Sequence, residues 1–188
     1  MKLNLGCGSK KLSGYINIDQ SEHFEPDLLL DLENTPYPFK TSSIDEIIMN
    51  SVLEHLPGQP KEFFRILKEI YRIMKDQAEL KIFCPHPFHR WQIVDFTHQK
   101  PIDKEGLEML DKRFCKDLIK RGDAKTPLAL LYDIDFRIIS AERYIDPDCA
   151  RHIQNILGSF DHSKVESYAY LFNNIIGGQS FVLKAFKS

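Results

Sequence analysis

Two sets of residues in this chain of 188 amino acids have the types and spacing to do chemistry. The first opens the sequence. Leu3-Asn4-Leu5-Gly6-Cys7-Gly8-Ser9 is an apolar run that breaks into a two-glycine turn, and a second run, Tyr15-Ile16-Asn17-Ile18, ends on Asp19. A turn without Cβ atoms lets backbone approach a ligand, and a carboxylate at the end of the next strand can accept both hydroxyls of a ribose. Asp31 follows a third apolar run, where the edge of an adenine would lie. This is the outline of a nucleoside site at the carboxyl edge of an open α/β sheet. Only ten residues separate Gly8 from Asp19, and position 11 is lysine. That leaves no room for the helix that meets a pyrophosphate in a G-x-G-x-x-G dinucleotide site. The plain alternative is a strand-to-loop turn tightened by glycines.

The second set is His86, His89, Asp95, His98 and Asp103, within eighteen positions, with Phe88, Trp91 and Phe96 between them. A histidine near its ordinary pKa removes protons at neutral pH. Asp95 and His98 combine residue type and place best, with His98 as base and Asp95 as its orienter. The competing reading makes the pair braces of a long loop. His86, His89, Asp95 and His98 are chemically adequate metal ligands, but their spacing matches no compact zinc signature and Pro85 and Pro87 restrict the first pair. No metal is therefore expected. His55 reads as a structural hydrogen-bonder at a turn, and none of the cysteines as a nucleophile.

The elements that must position these residues follow from periodicity. Strands are expected at Lys2–Leu5, Tyr15–Ile18, Asp27–Leu32, Ile44–Asn50 and Ala78–Cys84. Phe63, Leu67, Ile70 and Met74 recur at helical spacing, so 61–75 is a helix entered through Pro60. Strand, helix and strand make a βαβ unit with parallel strands. Beyond Cys84 come a proline-rich loop, a helix over 107–120 and a strand over 135–143. Helices around 149–157 and 165–176 follow, with Gly177-Gly178 as a hinge into a last strand over 180–186.

Composition bounds the rest. A formal charge of −2 with 43% hydrophobic and 28% charged residues describes a globular protein without a concentrated basic face, which argues against a nucleic-acid acceptor. The four cysteines include no CxxC pair, no apolar stretch reaches the length of a membrane span, and no leader is evident. A cytoplasmic protein with free thiols is expected.

The motifs, in this order, resemble those of the class I S-adenosylmethionine-dependent methyltransferases. Leu3 to Asp19, centred on Leu-Gly-Cys-Gly, resembles their motif I and the acidic position after it. Asn50-Ser51-Val52-Leu53-Glu54-His55-Leu56 is similar to the "vLeHl" segment after their fourth strand. Glu69-Ile70-Tyr71-Arg72-Ile73-Met74-Lys75 with Ala78-Glu79-Leu80-Lys81-Ile82 resembles their run into the fifth. Together the matches span roughly the first half of the chain. The resemblance implies methionine and carboxylate portions of the cofactor near Gly6 and Gly8, flanked by Leu5 and Cys7. It puts the ribose on Asp19, the adenine near Asp31 and Leu32, and Asn50, Ser51 and Leu53 beside the sulfonium. Three departures stand out. The first helix is reduced to Ser9–Gly14, no helices precede motif I, and the usual acid two before the first glycine is Asn4.

The expectation is one α/β domain over 1–188, doubly wound and Rossmann-like, with a mostly parallel sheet in three αβα layers and a last strand open to antiparallel placement. Residues 1–84 form a cofactor core, 85–134 a substrate cap and 135–188 the completion of the sheet. The implied activity is methyl transfer from S-adenosylmethionine to oxygen or nitrogen of a small-molecule or sugar-containing acceptor. His86, His89, Trp91 and Arg143 would form the acceptor side, in a monomer or homodimer that engages no membrane. A catalytically silent binding module and a nicotinamide-dependent oxidoreductase are the competing readings.

Overall fold

Short runs buried along most of their length, such as Lys2–Leu5 and Ile16–Asp19, form the strands. The computed structural model describes residues 1–187. Their strands are β1 (Lys2–Leu5), β2 (Ile16–Asp19), β3 (Leu28–Leu29), β4 (Ile44–Asn50), β5 (Met74–Pro85), β6 (Phe136–Ile145) and β7 (Ile176–Ala185). They form one sheet in the order β3-β2-β1-β4-β5-β7-β6. β1 to β5 are parallel, and β7 runs antiparallel to both β5 and β6. The chain moves outward from β1 through β2 to β3, then returns to place β4 on the other side of β1. That reversal leaves a crevice at the carboxyl ends of β1 and β4.

Register carries the core across the sheet. Leu3, Ile47, Leu80 and Leu183 form one row, and Leu5, Met49, Ile82 and Phe181 the next. All are buried, and they join one core with Phe63, Phe64, Ile66, Leu67 and Ile70 of helix α1 (Pro60–Ile73). Each such side chain contributes about 1.5–3 kcal/mol of transfer free energy. Helices α2 (Arg90–Val94), α3 (Lys104–Glu108), α4 (Lys112–Arg121) and α5 (Leu128–Tyr132) follow β5. Tyr132 of α5 stacks on Phe64 of α1 with ring centroids 3.8 Å apart. After β6, helices α6 (Pro147–Leu157) and α7 (Val165–Leu171) contribute the residues that pack on Ile175 and Ile176. The result is a mixed, mostly parallel sheet with flanking helices, a doubly wound Rossmann-like α/β fold.

The helices thin out where the site lies. Among the described residues no α-helix connects β1 to β2, β2 to β3, or β3 to β4. Polar side chains hold the first of these loops instead. Asn4 Nδ2 donates to Lys10 O and to Asn17 Oδ1, both at 3.0 Å, and Leu12 N donates to the same Asn17 oxygen at 2.7 Å. Asn17 in turn donates from N and Nδ2 to Asp27 Oδ2. A carboxylate at position 4 has no proton to give and would face two acceptors. Asn4→Asp should therefore cost about 1–3 kcal/mol, read as a fall of about 3–10 °C in Tm for a chain of this size.

Several elements differ from their sequence-based bounds. The third strand pairs over only two residues at the sheet edge. The expected helix over 107–120 is two helices, because Asp111 accepts Arg113 N at 2.7 Å and Phe114 N at 3.4 Å and so caps a new one. β5 starts at Met74, directly after α1, with an irregularity marked by the positive φ of 63° at Gln77. Gly177-Gly178 is no hinge but part of β7, and a Cβ on Gly178 would come within 2.8 Å of the Phe83 ring.

Candidate functional site

The glycine turn is tied to the next strand by the acid that ends it. Gly8 N donates to Asp19 Oδ2 at 2.8 Å, and Ser21 N to Asp19 Oδ1 at 2.9 Å. Cys7 N donates to Ile18 O at 2.9 Å. Gly6 and Gly8 take φ of 62° and 48°, a conformation that favours glycine. Each Asp19 oxygen keeps a lone pair for a ligand hydroxyl.

Two adjoining depressions open here, of about 220 and 340 Å³, sharing Gly6 and Ser51. The first is lined by Asp19, Gln20, Asp31, Leu32, Val52 and His55 among others. The second is lined by Asn4, Cys7, Gly8, Lys10, Phe24 and Asn50 among others. Volumes of this order suit a nucleoside-sized ligand. Ser51 holds a left-handed φ of 54° as the chain leaves β4, a strain of the kind that collects at functional sites. The rim at Leu30–Glu33 is fixed from α1. Glu69 accepts Tyr37 N at 2.6 Å, Tyr37 Oη donates to Leu32 O at 2.8 Å, and Arg65 donates to Glu33 O at 2.7 Å.

Of the residues expected around the cofactor, Gly6, Cys7, Gly8, Asp19, Asp31, Leu32, Asn50 and Ser51 line this crevice. Leu5 and Leu53 are buried in the core beneath it. Gln20, Val52, Phe24, Lys10 and His55 line it without having been singled out for it. Cys7 and Cys84 are poor nucleophiles: burial raises the Cys7 thiol and pushes Cys84 up to about 12.

The turn after β4 meets the loop after α2. Gln99 N and Lys100 N both donate to Glu54 O, at 2.8 and 3.2 Å, which brings His98 beside Glu54 and His55. The His55 and His98 rings meet edge to face with centroids 4.5 Å apart. His98 Nδ1 faces Gln92 O at 3.2 Å, and Asp95 Oδ2 stands 3.8 Å from its Nε2. The ring is thus oriented by a backbone carbonyl, while Asp95 Oδ1 accepts Thr97 N and Oγ1 at 2.9 and 2.6 Å. Burial, then the neighbouring His98, lowers the His55 pKa; burial raises that of Glu54.

The other residues expected at the acceptor side line neither depression. His89 is buried, with Nδ1 accepting Trp91 N at 3.2 Å as the cap of α2 and Nε2 3.3 Å from Asp146. Trp91 is half-exposed over the His89 ring. His86 is buried, and burial followed by the Arg143 charge lowers its pKa. Arg143 pairs with Glu166 at 2.6 Å. His89 therefore braces the loop in this arrangement, and Arg143 holds α7 to β6.

A central β1 flanked by β2 and β4, an antiparallel β7 and a crevice over the glycine turn decide the architecture. The fold is that of the class I S-adenosylmethionine-dependent methyltransferases. A sequence model described as a methyltransferase domain matches residues 3–82 of this methyltransferase-fold chain. A S-adenosylmethionine-dependent methyltransferase from Archaeoglobus fulgidus superposes with a TM-score of 0.57 at 15% identity, over 97% of this chain and 85% of its own. The YcgJ protein from Bacillus subtilis gives 0.56 at 10%, over 100% and 92%. A S-adenosylmethionine-dependent methyltransferase from Mesorhizobium loti gives 0.51 at 14%, over 97% and 90%. No curated protein sequence matches the chain. Among the described residues no helix is long and apolar enough to cross a membrane.

Proposed function

We propose that this methyltransferase-fold protein binds S-adenosylmethionine in the crevice and transfers its methyl group to an oxygen or nitrogen of a small-molecule or sugar-containing acceptor. One observation carries the reading: the glycine turn opens on Asp19 and Asp31 with no helix behind it. A ligand with a ribose and an adenine but no phosphates uses such a site fully. A nicotinamide dinucleotide would lack its helix N-terminus. The ribose hydroxyls go to Asp19 and the adenine to Asp31 and Leu32. The methionine end lies along Gly6, Cys7 and Gly8, where Lys10 supplies a positive charge for its carboxylate. Asn50 and Ser51 stand beside the sulfonium, with Leu5 and Leu53 as their buried support.

The transfer is an in-line displacement, so the protein aligns donor and acceptor and removes one proton from the acceptor. His98 is our choice of base, with Asp95 the nearest carboxylate. Residues 85–134 serve as the acceptor cap of one domain over 1–188, with His86, His89, Trp91 and, from β6, Arg143 on the acceptor side. We take the protein to be a cytoplasmic monomer or homodimer.

Calorimetric titration with S-adenosylhomocysteine tests the donor site. We expect one micromolar-range site and no saturable binding of NADH; the opposite preference would overturn the reading. A methyl-donor screen over small-molecule and glycan acceptors then tests turnover. Binding of the cofactor with no transfer to any acceptor would favour a binding module over an enzyme.

A further inference from the structure

We infer that Glu54, His55 and His98 form a binding site for a divalent transition-metal ion of zinc-like preference, at the wall of the donor crevice. One ligand atom from each of these residues lies within 4.8 Å of the other two. A tetrahedral ion with bonds of about 2.1 Å would draw them to about 3.4 Å apart, a contraction to be met by small shifts of His55 and His98, both partly exposed.

The hydrogen bonding around the cluster leaves one nitrogen of each ring free. His98 Nδ1 faces only the carbonyl oxygen of Gln92, so it carries the proton and leaves the Nε2 lone pair available. Thr97 Oγ1 donates to Asp95 Oδ1 at 2.6 Å, so at 2.8 Å it accepts from His55 Nδ1, which frees Nε2 there as well. Both rings are therefore held by a backbone or hydroxyl partner on the far nitrogen, the outer-shell pattern that orients metal-binding imidazoles.

Glu54 supplies the independent observation. Its side chain is 0% exposed, and neither carboxylate oxygen has a hydrogen-bond partner among the described residues. A buried carboxyl without a partner is costly, and the groups around it include the His55 and His98 imidazoles, with the Cys84 thiol and Asp95 also near. A cation among them satisfies the carboxylate and both lone pairs at once. Two imidazoles with one carboxylate select zinc-like first-row ions over magnesium or calcium, which prefer all-oxygen sets. Asp95 Oδ2, 3.8 Å from His98 Nε2, is within reach as a fourth ligand. His55 lines the depression that holds Asp19 and Ser51, so an ion here stands at the wall of the donor crevice. Occupancy would also withdraw His98 Nε2 from proton transfer. The site shares His98 with the methyl-transfer reading, but its test needs no S-adenosylmethionine, so the two can fail separately.

The experiment is calorimetric titration of the chelator-treated full chain with zinc chloride, paired with visible absorption on adding cobalt chloride. We expect one zinc per chain and a cobalt spectrum with bound-imidazole character. Glu54→Gln and His98→Asn should each weaken zinc by at least about 100-fold, and Thr97→Val by about 10-fold, the range of outer-shell partners. Because Glu54 is buried, His55→Asn serves as a second variant, and circular dichroism confirms that each variant is folded. The inference fails if wild-type protein takes up neither ion. It fails equally if folded Glu54→Gln and His55→Asn bind zinc as wild type does, or if the site takes magnesium in preference to zinc.

Discussion

Asp19→Asn should lower the affinity for S-adenosylhomocysteine by about 10- to 100-fold, or about 1.4–2.7 kcal/mol. The carboxylate does two jobs with two oxygens. Each accepts one backbone N–H, from Gly8 at 2.8 Å and Ser21 at 2.9 Å, and each retains capacity for a ribose hydroxyl. Asparagine keeps one oxygen and turns an NH2 group toward one of those N–H donors. One amide loses its acceptor, and the bidentate ribose site is lost with it. Hydrogen bonds to a charged acceptor are worth about 1.5–3 kcal/mol, so the lost N–H contact should lower the stability of the fold by a similar amount. Calorimetry on the variant, with a thermal melt confirming that it is folded, reads the two effects separately. Wild-type affinity in folded Asp19→Asn would show that the ribose lies elsewhere.

Gly6→Ala should be the most damaging single-methyl change in the chain, abolishing measurable cofactor binding and costing more than about 2 kcal/mol of stability. Two causes add. The φ of 62° is a left-handed conformation that costs an L-residue about 1–2 kcal/mol. A Cβ there would sit 2.5 Å from Val52 Cγ2, and Val52 lines the crevice, so relief of the clash reshapes the site. Gly8→Ala is the built-in control. Its φ is 48°, but nothing lies within 4 Å of an added Cβ, so only the conformational cost of about 1–2 kcal/mol remains. Equal loss of Tm in the two variants would remove Val52 from the account.

Local patterns carried much of this into the sequence. Ile44–Asn50 is a largely buried apolar run because it is a central strand of the sheet, and 61–75 shows helical periodicity because α1 buries one side. The two glycines, Asp19, Asp31, Asn50 and Ser51 were readable because each stands at a strand end, the edge where such sheets bind ligands. Leu5 and Leu53 were not separable from them by position along the chain. Leu5 shares the strand face of Leu3, and that parity turns it into the core. Asp111 shows the limit of periodicity, since an apolar pattern continues across a cap that breaks the helix in two.

By itself the sequence determined the order of the strands and the main helix between β4 and β5, the glycine turn with its acid, and the family resemblance, all of which rest on residues near one another in the chain. Only the tertiary structure decided what the histidines face. Glu54 and His98 lie 44 positions apart, and two backbone hydrogen bonds from Gln99 and Lys100 to Glu54 O bring them together. The same packing turned His89 into a brace on Asp146 and left the Glu54 carboxylate buried without a hydrogen-bond partner among the described residues. Hydrogen-bond partners across such a separation depend on how the loop after α2 docks, and no local pattern of residue types encodes that docking.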